Sequence, residues 1–273
     1  VHLHSSIIVM LRRLAFPSRK IVYSVHGFDS IRLAFRKFLY LEKLMQYRTR
    51  FIVAVSKYDF DNLKSEGINR NVQYIYNGIS DYPQQVSLAL PDPALINAKD
   101  ILQKDDAFKV LSIARLAPPK RFDLFCEIAR QFNSDDVHFY WVGNKVPVEN
   151  LPENVFCLGE VPNAHQLLHF SNLFTLCSDY EGMPMSILEA LSYGVPVVAS
   201  NVGGISEVLN SKNGFSVENQ SILFAAEIEK FRTNYEFYNA AQIEARESYL
   251  SNFTVSRMYQ YYLKLYNQIS SKN

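Results

Sequence analysis

Two glutamates, Glu181 and Glu189, are spaced Glu-x7-Glu within Ser178-Asp179-Tyr180-Glu181-Gly182-Met183-Pro184-Met185-Ser186-Ile187-Leu188-Glu189-Ala190. The apolar run Leu173 to Cys177 before them reads as a buried strand, and residues 184–193 read as a helix. Glu181 therefore lies in the connecting elbow and Glu189 inside the helix. Pro184 suits a first helical turn, where its missing N–H costs little. Gly182 to Ser186 then present free amides at the positive end of a helix dipole, a cradle for an anion or for hydroxyls. The two carboxylates can grip different parts of one extended ligand. Such a pair on any helix taken alone reads as solvated surface; its place directly after an apolar strand argues for a site.

Arg115 and Lys120 flank Ala117-Pro118-Pro119 after another strand, Phe108 to Ala114. The prolines stiffen the loop and hold two cations close together, which suits a diphosphate; a solvated basic loop before a helix is the competing reading. His26-Gly27 ends the strand Lys20 to Val25, and His4 has the same placement at the end of Val1-His2-Leu3. His138, His165 and His169 read as structural. Cys126, Cys157 and Cys177 are far apart and set in apolar surroundings, so they read as reduced core thiols rather than disulfides or metal ligands. Asp179 is a lone carboxylate, and no paired-aspartate metal motif is present.

These loops need a frame that brings strand ends together. Strand and helix patterns alternate along the chain: strands near 20–25, 51–55, 71–76, 108–114, 137–142, 155–158, 173–177, 196–199 and 214–217, with helices near 57–65, 122–132, 165–170, 219–232, 235–249 and 253–270. A further helix is expected at 7–15, and a long basic amphipathic helix at 30–48 with Leu33, Phe35, Phe38, Leu41, Leu44 and Met45 on its apolar side. This alternation predicts α/β architecture, doubly wound parallel sheets whose strand-end loops converge on one crevice. Residues 79–105, with Pro83, Pro91 and Pro93 and weak periodicity, mark the boundary between domains at 1–86 and 87–252. The helix 253–270 is expected to pack back on the first domain.

A chain of 273 residues, 48% of them hydrophobic, has room for two cores. No apolar run reaches membrane-span length, and Arg12-Arg13 interrupts the only candidate signal peptide, so a cytoplasmic protein is expected. The formal charge of +1 conceals a split, because residues 1–50 carry ten basic side chains against Asp29 and Glu42. That end either faces an anionic partner, such as the headgroups at the inner face of the plasma membrane, or is ordinary basic helix surface. No nucleic-acid partner is expected.

The block from Glu181 through Ala190-Leu-Ser-Tyr-Gly-Val-Pro-Val-Val-Ala-Ser-Asn-Val-Gly-Gly204-Ile-Ser-Glu207 resembles the signature of the retaining, metal-independent GT-B glycosyltransferases known as glycosyl transferases group 1. Supporting blocks are Ser112-Ile-Ala-Arg115 with Lys120, Trp141-Val-Gly143, Leu158-Gly159-Glu-Val161, Val25-His26-Gly27, Ala54-Val-Ser56 and Ile75-Tyr-Asn77-Gly78. The resemblance implies two Rossmann-like domains facing a cleft, the first incomplete. It implies that Arg115 and Lys120 neutralise a donor diphosphate and that Glu181 binds donor-sugar hydroxyls. The amides of Gly182, Met183, Pro184-Met185 and Ser186 would touch sugar and phosphate, and Glu189 would hold the ribose. The loop Gly159 to Val161 would receive the base, and His26 would approach the sugar from the first domain. No cofactor or metal is implied; the co-substrate would be a UDP- or GDP-linked sugar, and the acceptor a glycan or lipid-linked saccharide of surface-polysaccharide assembly.

The chemistry fits that inventory. Breaking a sugar–diphosphate bond builds negative charge on the leaving phosphate, which fixed cations and helix amides stabilise. In such retaining enzymes the phosphate itself takes the acceptor proton, so no separate base is needed. Family members carry a strand and glycine-rich loop ahead of anything like Val1-His-Leu-His4, so the chain is expected to lack roughly 80–100 residues. Other readings are a non-catalytic nucleotide-sugar-binding remnant, a GT-B epimerase or a phosphorylase. A glycosidase is disfavoured, because its two carboxylates would flank the sugar rather than adjoin a diphosphate site.

Overall fold

The computed structural model describes residues 1–4, 21–84 and 92–270. The helix expected at 7–15 and the boundary at 86–87 lie outside the described residues. The first sheet contains β1 (His2–Leu3), β2 (Val22–Val25), β3 (Phe51–Ala54) and β4 (Val72–Tyr74), all parallel and in that spatial order. Helix α1 (Leu39–Met45) precedes β3, and α2 (Lys57–Ser65) follows it. β2 and β3 are buried throughout, as strands covered on both faces must be. Tyr23, Val25, Ile52 and Ala54 face one core, while Val22, Phe51 and Val53 face another. That second core is closed by Leu265 of the last helix, Val255–Ser270, with Met258, Tyr262, Tyr266 and Ile269 packed around it.

The second sheet begins after α3 (Pro93–Lys104). It comprises β5 (Phe108–Ile113), β6 (Val137–Val142), β7 (Val155–Cys157), β8 (Leu173–Leu176), β9 (Val197–Ser200) and β10 (Gly214–Val217). Helices α4 (Phe122–Ala129), α5 (Met185–Ser192), α6 (Ile205–Val208), α7 (Ser221–Thr233) and α8 (Tyr235–Asn252) surround it, and Val255–Ser270 becomes α9. The spatial order is β10-β9-β8-β5-β6-β7, with every pairing parallel. From β5 the chain winds outward to β7, then returns to lay β8 on the other side of β5. This is a topological switch point, where the crossovers from β5 and β8 run to opposite sides and ligands bind at the strand ends. Arg115 and Lys120 are in the loop after β5 and Glu181 is in the loop after β8, which is why residues so far apart in sequence meet.

Within the boundary stretch 79–105, α3 occupies 93–104 with Leu95, Ala98 and Leu102 buried. Pro93 opens this helix behind Asp92, whose side chain accepts from the Ala94 amide at 2.8 Å. One expectation needs correction. The segment 30–48 is not one amphipathic helix but a π-helical turn at Ser30–Ala34, a 3-10 turn at Arg36–Phe38 and then α1. Phe28 O accepts from both Ile31 N and Arg32 N, and Phe35 leaves helical geometry at φ −122°, ψ 42°. Arg32 is held to Asp29 at 2.7 Å and Tyr58 OH donates to Asp29 at 2.8 Å, so the first turn is fixed to α2 rather than to the rest of the segment. Leu33, Phe35, Phe38 and Leu44 consequently point to solvent.

The two sheets are joined where the chain crosses twice. Ile79 N donates to Phe253 O at 2.9 Å and Val255 N to Ile79 O at 2.8 Å. Beside them Arg246 forms a forked pair with Asp81 at 2.7 and 2.8 Å and also reaches Ser192 O.

Candidate active site

The loops after β5 and β8 are stitched together by backbone. Arg121 N donates to Cys177 O at 3.0 Å and Asp179 N to Pro119 O at 2.9 Å. This brings Lys120 Nζ onto Glu181 Oε1, which also accepts from Ser178 Oγ at 2.6 Å. Both side chains are largely buried, at 15% and 12% exposed, so the pair sits in a medium where charge interactions are strong. Arg115 is exposed on the rim of the same cleft and has no ion pair among the described residues. One cation is thus already neutralised and the other remains available for an anionic ligand. Arg121 is turned away, clamped by Asp123 and Asp179.

The cleft they line has a volume of about 920 Å³, enough for a nucleotide sugar and part of an acceptor. Gly182, Met183, Pro184, Met185 and Ser186 form its floor at the start of α5. His26 and Gly27 face them from the end of β2, and Asn77 Nδ2 crosses to Met183 O at 3.1 Å. The His26 ring is not alone: its Nε2 pairs with His4 Nδ1 at 2.7 Å, and His2 stacks on His4 with centroids 4.5 Å apart. Burial lowers the His26 pKa and the charge of the neighbouring ring lowers it further. His2 is lowered to about 4 by burial and by its histidine neighbours.

Glu189 lies on α5, is not among the residues lining the cleft, and is near Tyr82 and Tyr193. The Tyr82 and His165 rings stack at 4.0 Å, and His165 Nδ1 is 3.1 Å from Tyr193 OH. Burial without a cation raises the Glu189 carboxyl to about 7. The neighbouring loop is shaped by Asn144, whose Oδ1 accepts from Gly159 N at 2.9 Å and whose Nδ2 donates to Val146 O at 3.0 Å. Asn144, Lys145, Leu158, Gly159 and Glu160 border a hollow of about 380 Å³. Val161 is buried in the main core, so its side chain faces away from that hollow.

Several site residues had no individual signal in the sequence. Ser178 precedes Glu181 as an unremarkable serine, and Asn144 as an ordinary turn residue. Tyr259, Tyr262 and Tyr266 of α9 also line the cleft, and their spacing on one helical face was the available clue. Among the described residues, no three His, Cys, Asp or Glu side chains are grouped to hold a metal ion.

The model of the family described as glycosyl transferases group 1 matches residues 107–234, and that of Glycosyltransferase Family 4 matches residues 1–81. Over residues 107–234 the chain matches the group 1 glycosyltransferases. An O-antigen biosynthesis glycosyltransferase, WbnH of Escherichia coli, is 32% identical over 235 residues, covering 83% of this chain and 64% of its own length. The Escherichia coli UDP-Gal:alpha-D-GlcNAc-diphosphoundecaprenol alpha-1,3-galactosyltransferase is 30% identical over 80% of this chain and 62% of its own. The chain thus spans less than two thirds of the length of these relatives. Among solved structures, Anabaena Alr3699/HepE in complex with UDP and glucose superposes with a TM-score of 0.82 at 20% identity, over 97% of this chain and 76% of that one. Sucrose-phosphate synthase from Thermosynechococcus elongatus gives 0.84 at 18% identity, over 100% and 74%. These likenesses show that the two parallel sheets adopt the GT-B fold.

Proposed function

We propose that this chain is the catalytic part of a retaining hexosyltransferase that moves a sugar from a UDP-sugar to a glycan or lipid-linked acceptor in surface-polysaccharide biosynthesis. The observation that carries this reading is the Lys120–Glu181 pair at the switch point, in a cleft also lined by Arg115, which has no ion pair among the described residues, and by the start of α5. A donor diphosphate entering there takes Arg115 and Lys120 as counter-ions, releasing Glu181 to accept from sugar hydroxyls. Glu189 accepts from the ribose diol, and the hollow at Gly159 takes the base. As the anomeric bond breaks, both cations and the amides of Gly182, Met183, Met185 and Ser186 stabilise the departing phosphate. The phosphate accepts the incoming hydroxyl proton on the same face, giving retention. The similar Escherichia coli enzyme is a UDP-Gal:alpha-D-GlcNAc-diphosphoundecaprenol alpha-1,3-galactosyltransferase and the similar Alr3699/HepE structure holds UDP and glucose, which supports the donor and acceptor classes.

The exposed Leu33, Phe35, Phe38 and Tyr40, interspersed with Arg36 and Lys37, support docking of the first domain on the anionic inner face of the plasma membrane. Cosedimentation with phosphatidylglycerol vesicles but not phosphatidylcholine vesicles is expected, and equal recovery with both would refute it. For the reaction, release of UDP from a panel of UDP-sugars is the assay, with the product's anomeric configuration read by proton NMR. Inversion of configuration, or retained donor turnover in both Glu181→Ala and Lys120→Ala, would overturn the assignment. A non-catalytic binding module is the outcome if UDP binds and no donor turns over.

A further inference from the structure

Glu207 ends the signature block and is not among the residues that line the cleft. It belongs to α6 of the second domain, yet its carboxylate reaches the first. Oε2 accepts from Lys57 N at 2.8 Å and Oε1 from Tyr58 N at 2.6 Å. These are the first two amides of α2, which have no intrahelical acceptor. The amide of Asp59 is taken within the domain by Ser56 Oγ at 3.0 Å. The cap on α2 is therefore completed across the domain junction, by a carboxylate at the positive end of the helix.

The same helical turn holds the loop that carries His26. Asp59 Oδ1 accepts from Phe28 N at 2.8 Å, and Tyr58 OH donates to Asp29 Oδ2 at 2.8 Å. Asp59 is fully buried, and its Oδ2 has no hydrogen-bond partner among the described residues. Burial lifts its carboxyl to about 6. The two domains touch backbone to backbone at this point. A Cβ on Gly182 would stand 2.7 Å from Gly27 N and 3.3 Å from Asp59 Oδ2, and one on Gly204 would stand 2.6 Å from Ser56 Cβ.

We propose that Glu207 is a positioning residue for sugar transfer, clamping the first turn of α2 to the donor-binding domain so that Asp59 and Tyr58 hold the His26–Gly27 loop against Gly182. The inference rests on the transferase reading for its catalytic consequence, but the clamp is measurable without turnover. The Lys57 and Tyr58 amides are the reporters, followed by residue-resolved hydrogen exchange on the full chain. Glu207→Ala is expected to speed exchange at both by about tenfold or more, as loss of hydrogen bonds to a charged acceptor implies. Phe28 N is expected to follow, while the β6 amides stay protected. Asp59→Ala is expected to release Phe28 but leave Lys57 and Tyr58 protected, and Asp59→Asn, which keeps an acceptor oxygen, restores Phe28. Should Glu207→Ala lose protection in β6 as well, the isosteric Glu207→Gln is read in its place, with a smaller rise at Lys57 and Tyr58 alone.

Unchanged exchange at Lys57 and Tyr58 overturns the clamp, and unchanged exchange at Phe28 overturns its transmission to the loop. For turnover, UDP-sugar hydrolysis by Glu207→Gln is expected to lose kcat with donor KM within about twofold, since the residue acts on the transition state through geometry. A rise in KM with kcat intact would refute the positioning role. Absence of hydrolysis in the unmodified chain would instead count against the transferase reading, while the exchange data still decide the clamp.

Discussion

If the donor ribose is held by Glu189 as proposed, the raised pKa of that carboxyl gives donor binding a pH dependence of definite sign. The carboxyl titrates near 7 rather than at its ordinary 4.5 because it is buried without a counter-cation. Ribose hydroxyls donate to the ionised form, so a donor that uses Glu189 must bind better as pH rises through this range. If binding requires the carboxylate, the ionised fraction at pH 5.5 is about one thirtieth, and affinity should be roughly thirty-fold weaker than at pH 8.5, or ~2 kcal/mol. The assay is calorimetric titration with whichever of UDP-glucose, UDP-galactose and UDP-N-acetylglucosamine binds most tightly. The diphosphate of a UDP-sugar carries no proton that titrates across this interval, so the slope reports on the protein. Glu189→Gln should bind weakly with a much flatter profile, leaving only the contribution of the lowered His26. A variant that reproduces the full slope would refute the placement of the ribose at Glu189. Linkage also gives the sign for the fold: the native state binds this proton between about pH 4.5 and 7 and the unfolded state does not, so the contribution of Glu189 to stability falls as pH rises through that window.

Lys120→Met removes a cation from the diphosphate site and strands the buried Glu181 with Ser178 alone; kcat for donor cleavage should fall about 10²–10³-fold, the cost typical of one lost transition-state donor. Gly182→Ala should reduce turnover and raise exchange at Gly27 and Phe28, because its Cβ meets Gly27 N at 2.7 Å and forces the domains apart. Arg246→Met breaks the forked pair with Asp81 and the bond to Ser192 O, and should lower stability by about 1–3 kcal/mol in chemical denaturation without moving UDP affinity.

The strands were legible because they are buried on both faces and so read as continuous apolar runs ended by glycine or histidine. The switch point was not visible as such, since strand order depends on which crossover returns to β5, and no residue between β7 and β8 announces it. Glu181, Lys120 and Arg115 were identifiable as chemistry-bearing loop residues, but their meeting depends on that order. The helix α3 was hidden by prolines that begin it rather than break it. The 30–48 segment misled in the opposite way: its spacing satisfies a helix, while Asp29, Arg32 and Tyr58 impose a tertiary contact that interrupts one. Val161 shows a further limit, because adjacency to Gly159 in sequence does not decide which side of the loop a side chain occupies.

The ion pair at the centre of the site also indicates how the cleft remains chemically poised. A lone Lys120 or Glu181 at its present burial would pay several kcal/mol for desolvation, whereas the pair is mutually compensated. A diphosphate offers Lys120 another anion and sugar hydroxyls offer Glu181 other donors, so each charge keeps a partner as the ligand enters. The exchange succeeds only if diphosphate and sugar arrive together. UDP alone satisfies Lys120 but leaves Glu181 with Ser178 Oγ as its sole donor from this cluster, whereas an intact donor satisfies both. The site should therefore discriminate an unbroken nucleotide sugar from its product through Glu181 rather than through the cations. Comparing UDP with UDP-sugar affinity in Glu181→Gln isolates this effect: the preference for the intact donor should shrink while UDP affinity rises or holds. A preference unaltered by that change would place the discrimination elsewhere in the cleft.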